Sequence, residues 1–162
     1  MHPSTISLAR PPITQRAWMT GKVRSNWMKT ISLTEAQIRQ LVRIAKDALP
    51  NESCAFLLGY NDKVIKILPM RNIDESPVTF SIEPAELLHA YNLAERKRTH
   101  VIAIFHSHPA KPWPSRTDIK YMEINPVVWV IYSTTESKLK AFVYDEDDLV
   151  KEIDIRIIGV KV

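Results

Sequence analysis

The stretch "FHSHPAKPWPSRTD", residues 105–118, places two histidines two positions apart, then a proline-rich loop, then a serine and an aspartate three positions apart. In an extended strand residues i and i+2 face the same way, so His106 and His108 project their imidazoles to one side. Pro109, Pro112 and Pro114 restrict the connecting loop, which lowers the entropy lost when the next element is held near the strand end. Ser115 and Asp118 then share the first turn of a helix, and the carboxylate supplies a third donor. Two neutral imidazoles and one carboxylate suit a catalytic zinc, which keeps a fourth position open for water; a structural zinc is more often closed by four protein ligands. The expected metal ligands are therefore His106, His108 and Asp118, holding one zinc ion per chain. The bland alternative is a pair of unrelated strand-end histidines beside a serine and an aspartate that only cap a helix.

Zinc-assisted hydrolysis also needs a base, and the residues around the histidines offer none, so it must come from elsewhere. The segment "ESCAFLLG" (52–59), followed at a distance by His-x-His and Ser-x-x-Asp, resembles the JAMM (MPN-plus) metalloprotease family. That family's motif is a distant Glu, then His-x-His, then Ser-x-x-Asp, and the resemblance runs from about residue 30 to about residue 145. It implies that Glu52 is the general acid/base, that His106, His108 and Asp118 hold zinc, and that Ser115 stabilises the oxyanion. Two features depart from the family pattern: six residues separate His108 from Ser115 where seven are usual, and Ala55 stands where glycine is common.

Taken alone, Glu52 would read as a solvated charge ahead of a strand; the downstream motif gives it a role. Cys54, inside an apolar strand, reads as a small core residue rather than a nucleophile. His2, His89 and His100 lie outside the motif. Trp113, between two prolines beside the site, is either loop packing or a substrate contact.

Elements must position these side chains. From Thr34 the pattern is helical: Thr34 and Gln37 form a capping box, Ile38, Leu41, Val42, Ala45 and Leu49 line one face, and Pro50 ends the helix. Residues 53–60, 63–70 and 78–82 read as three strands of a meander. Pro84 opens a second helix over 85–98 that turns Leu87, Leu88, Tyr91 and Ala94 toward the sheet. "VIAIF" (101–105), apolar throughout, reads as a strand covered on both faces that delivers the chain into the histidines. A helix over 115–124 and three further strands follow. The order predicts a mixed α/β (α+β) domain with a central sheet flanked by helices. The resemblance sharpens this to a curved, mostly antiparallel sheet similar to that of cytidine deaminases.

The chain of 162 residues is long enough for one domain. Its net charge of +4 lies wholly in residues 1–27, where Arg10, Arg16, Lys22 and Arg24 stand without an acid; the 22 basic residues less these four equal the 18 acidic ones. The domain body is thus electroneutral, and nucleic acid is not an expected partner. The longest apolar run, Val127–Tyr132, is too short to span a bilayer. One cysteine excludes an internal disulfide and fits a reducing compartment, the cytoplasm. Residues 1–27 lack periodicity and are expected to form a flexible basic tail before a domain at 28–162. Their Arg, Ser and Thr content is similar to that of a transit peptide, against which Pro3, Pro11 and Pro12 argue; Met28 as the natural start is the other reading.

The activity implied by the resemblance is hydrolysis of the amide or isopeptide bond after the C-terminal Gly-Gly of a ubiquitin-like protein. A lone domain resembles the prokaryotic branch, whose substrates are small archaeal modifiers or sulfur-carrier proteins. The alternative is a non-catalytic MPN-type scaffold or binding module; the intact ligand positions argue against it.

Overall fold

A computed structural model describes residues 11–20, 29–144 and 149–159. Helix α1 (Ile13–Thr20) precedes β1 (Thr30–Thr34), α2 (Glu35–Ala48), β2 (Cys54–Tyr60) and β3 (Lys63–Met70). Then come α3 (Pro84–Arg96), β4 (His100–His108), α4 (Arg116–Ile124), β5 (Val128–Ser133), β6 (Lys138–Tyr144) and β7 (Val150–Ile158). The strands form one curled sheet in the order β1-β3-β2-β4-β5-β6-β7. Closure comes from β1, which runs parallel to β7 from Thr30 to Thr34 and meets β3 where Ser32 lies opposite Lys63. Strand β4 is parallel to β5, while β2–β3, β2–β4, β5–β6 and β6–β7 are antiparallel. The expected mixed α/β architecture, a curved and mostly antiparallel sheet flanked by helices, is therefore present.

The alternation of side chains along β2, β4 and β5 sorts the core into two layers. Cys54, Phe56, Ile104, Trp129 and Ile131 pack with Leu87, Ala90, Tyr91 and Ala94 of α3 and with Tyr121 and Met122 of α4. Ala55, Leu57, Ala103, Phe105, Val128 and Val130 pack on the other face with Leu41 and Ala45 of α2. Strand β4 is thus apolar throughout 101–105 because both its faces are covered there. Each fully buried large aliphatic or aromatic side chain contributes about 1.5–3 kcal/mol, so this strand end is a rigid mount for the two histidines.

Local signals govern the helices. In α2 the Thr34 hydroxyl accepts from the Gln37 amide while the Gln37 side chain accepts from the Thr34 amide. Pro84 occupies the first turn of α3, where its missing N–H costs nothing. Gly59 sits at a register shift in β2, and a Cβ there would collide with the Lys63 carbonyl.

Several expectations change. Part of the segment expected to be a tail folds: residues 13–20 form α1, with Met19 buried, while residues 1–10 and 21–28 lie outside the described residues. Pro11 and Pro12 stand ahead of the helix rather than within it, where proline is tolerated. The Gln15 amide donates to the Val101 carbonyl at 2.8 Å and accepts from the Val101 N–H at 3.1 Å, and Trp18 stacks on His100. Residues 78–82 form no strand. Phe80 and Ile82 are buried as alternation demands, but the Ser81 N–H donates to the Asn72 side chain instead of to a neighbouring strand. Leu88 is exposed because the buried stripe of α3 runs through Leu87, Ala90, Tyr91 and Ala94, and Leu49 is exposed because it lies past the end of α2. Strand β1 was not expected at all. Among the described residues no helix is long and apolar enough to cross a membrane.

Candidate active site

His106 and His108 stand at the end of β4, and Asp118 on the first turn of α4. One donor atom from each lies within 4.8 Å of the others. His106 Nε2 is 3.1 Å from Asp118 Oδ2, close to the roughly 3.3 Å edge of a tetrahedron with metal–ligand bonds near 2 Å. His106 is fully buried, stacked on Phe80 and met edge-on by Trp129. His108 is half-buried; its ring hydrogen-bonds the Trp113 backbone, and its Nε2 is a buried nitrogen without a hydrogen-bond partner among the described residues. A buried ring nitrogen left unpaired is costly unless something binds it, and a cation is the natural partner for a nitrogen lone pair beside a carboxylate. The three residues fit a divalent metal.

The six-residue loop from Pro109 to Pro114 reaches α4 without distortion, turning through a hydrogen bond from the Trp113 N–H to the Lys111 carbonyl. Ser115 caps α4: its Oγ accepts from the Asp118 amide at 3.1 Å, while Asp118 Oδ2 accepts from the Ser115 amide at 2.8 Å. Capping and ligation are therefore not alternatives, since the oxygen that closes the capping box is the one that faces His106. Trp113 packs on Phe142, with Lys140 Nζ 5.5 Å from its ring centre. It is loop packing, and it also sets the carbonyl side of His108.

Glu52 precedes β2, and the β2–β4 register brings it to this site. Cys54 pairs with His106, so the side chains of Glu52, two residues earlier, and of His108 fall on the same face. Ser53 and Ser107 point the other way and join the strands: their hydroxyls are 2.7 Å apart, and the Ser107 N–H donates to the Ser53 carbonyl. Sequence reasoning passed over this pair, although Ser107, between two histidines on one face, had to occupy the other, where it is buried. It also passed over Asn72.

Electrostatics separate the carboxylates. Burial raises Glu52 to about 7; the His106 charge opposes this, and Asp118 and Asp74 reinforce it. Burial would raise Asp118 too, but His106 and the Ser115 hydrogen bonds hold it down at about 2. Burial lowers His106, yet Asp118 and then Glu52 outweigh it, leaving a net rise. His108 is lowered by burial and by its neighbour His106. One carboxylate is thus a permanent anion and the other is poised near neutrality, the division of labour expected of a ligand and a base. Burial holds the Cys54 thiol far above its usual range, which removes it as a nucleophile.

Comparison with known proteins finds relatives over most of the chain. A family model described as prokaryotic homologues of the JAB domain matches residues 34–144. A desampylase of Pyrococcus furiosus is 33% identical over 127 residues, which cover 78% of this chain and 89% of the relative. A CysO-cysteine peptidase of Mycobacterium tuberculosis is 29% identical over 102 residues, 61% of this chain and 70% of that protein. Among solved structures, a Desulfitobacterium hafniense protein determined in solution matches with a TM-score of 0.70 at 33% identity, covering 80% of this chain and 94% of that one.

Proposed function

The chain belongs to the family of prokaryotic JAB domain homologues, and from that membership we propose that it is a zinc-dependent peptidase acting on ubiquitin-like conjugates. The bond cut is the amide or isopeptide bond after a C-terminal Gly-Gly. The observation that carries this reading is the meeting of His106, His108 and Asp118 within 4.8 Å, with Glu52 buried on the same face. The peptidase names of the relatives support the reaction class.

His106, His108 and Asp118 would hold the ion. Bound there, zinc supplies a Lewis acid that polarises the substrate carbonyl and lowers the pKa of water toward 7. Glu52, with its carboxyl near neutrality, takes a proton from the attacking water and returns it to the departing amine nitrogen. Ser115, whose Oγ already accepts from the Asp118 amide, has its own hydroxyl proton to donate to the carbonyl oxygen as that oxygen gains charge. Asp118 stays ionised throughout. The lone buried cysteine suits a reducing cytoplasm.

The test uses a ubiquitin-like protein ending in Gly-Gly, joined through its C terminus to a reporter protein. Zinc-loaded wild type cleaves the fusion, and Glu52→Gln retains zinc but loses at least about a hundredfold in kcat/KM. Wild type that binds zinc and leaves the fusion intact would favour a scaffold instead.

A further inference from the structure

Asn72 stands just beyond β3, and its side-chain amide makes four hydrogen bonds. Nδ2 donates to the Glu52 carbonyl and to the Thr79 carbonyl, each at 3.0 Å. Oδ1 accepts from the Asp74 amide at 3.0 Å and from the Ser81 amide at 3.1 Å. A carboxamide has two donor hydrogens and two acceptor lone pairs, so this one is saturated. All four partners are backbone groups, three of them in the irregular segment 73–81 and the fourth in Glu52.

The same segment holds the other side of Glu52, whose N–H donates to the Ser76 carbonyl at 2.7 Å. Two further bonds brace the loop: Ile73 N–H to the Ser81 carbonyl at 2.9 Å, and Ser81 Oγ to the Asp74 carboxylate at 2.9 Å. Glu52 precedes the first residue of β2, so the strand ladder does not hold its peptide. A side chain that moves protons must keep within hydrogen-bond reach of them, and its reach is set by where its Cα is held.

We infer that Asn72 is a positioning residue: its amide ties the Glu52 backbone to the 73–81 loop and so aims the Glu52 carboxylate at the reacting atoms. The inference rests on the peptidase reading of the site. Asn72 touches neither the ligand set nor, on this reading, the substrate. Its loss is therefore felt in turnover rather than in binding.

The experiment compares wild type with Asn72→Ala and Asn72→Asp, all zinc-loaded, on the Gly-Gly reporter fusion. The aspartate keeps the acceptor oxygen for Asp74 and Ser81 but faces the Glu52 and Thr79 carbonyls without hydrogens, so it breaks the tie while preserving shape. The expected result in both variants is a kcat at least about tenfold lower, with KM and zinc affinity by chelator competition within about twofold of wild type. Residue-resolved hydrogen exchange should show the Glu52 N–H exchanging at least about tenfold faster while β4 amides keep their protection. Should Asn72→Ala fail to fold, Asn72→Asp carries both measurements. An unchanged kcat in an active variant overturns the inference, as does a loss confined to KM or to zinc affinity. Wild type that cleaves no fusion counts against the peptidase reading alone. Exchange, which needs no activity, then decides: faster exchange at Glu52 upholds the tie, and unchanged exchange overturns it.

Discussion

Glu52 is 6% exposed, has Asp118 and Asp74 as like-charged neighbours, and holds its proton up to about 7 against an ordinary value of 4.5. The folded state thus binds that proton more tightly than the unfolded state. The stability it contributes is full below about 4.5 and is lost as pH rises through about 7. The shift corresponds to a ceiling of roughly 3 kcal/mol. Metal-free Glu52→Gln should therefore be more stable than wild type at pH 8, with the gap closing by pH 4, as read by urea denaturation. In the proposed mechanism the same group sets the rate profile. A base works only when deprotonated, so kcat/KM should rise with pH through the Glu52 value. A bound dication would pull that value below 7, and the acid limb should fall between the ordinary carboxylate range and about 7. His108→Ala removes one donor of three and leaves His106 and Asp118 as an ion pair 3.1 Å apart. Metal analysis should find zinc falling from one ion per chain to well below one.

At the scale of elements, the loop 109–114 and α4 act as one device. Ser115→Ala should cost about 1 kcal/mol of stability through the lost cap. If the serine also donates to the oxyanion, kcat should fall by about a hundredfold, far beyond what a frayed helix would cause. Trp113→Ala should weaken zinc binding about tenfold without touching a ligand, because the packing on Phe142 that fixes the carbonyl behind His108 is gone. Trp113→Phe should largely restore it. Much of this level was legible in the sequence, and for local reasons. Thr34 with Gln37, Ser115 with Asp118, and Pro84 announce helix starts through bonds spanning one turn. What was hidden depends on distant partners. The alternation reports burial correctly at Phe80 and Ile82 but not at Val78, which is exposed, and Asn72 takes the backbone groups that a strand would have used. Strand β1 is five residues whose main partner, β7, lies more than a hundred positions away. Helix α1 has a weak pattern of its own, and its place is explained by distant partners, the Gln15 amide on Val101, Trp18 on His100 and Met19 in the core.

For the whole molecule, closure of the sheet and the docking of α1 determine how firmly β4 is mounted. Strand β5 first pairs with β4 at Ala103, so Gln15 takes the place of a strand beside Val101. Gln15→Ala would strand a buried N–H and a buried carbonyl at a cost of about 2 kcal/mol. Chemical denaturation should register that loss while zinc stoichiometry stays at one. The electroneutral body and its two-sided core were readable from composition and from "VIAIF"; the curl that brings β1 against β7 was not, because no local pattern encodes which strand is next to which. Strand β4 touches α1 at His100 and Val101 and carries the proposed ligands at His106 and His108, nine residues and about 25 Å from end to end. The molecule is thus bipolar, with its handle at one pole and its blade at the other. A surface tether or a bulky cargo attached ahead of α1 would load the handle and leave the cutting edge free, whereas immobilisation through Lys111 would blunt it.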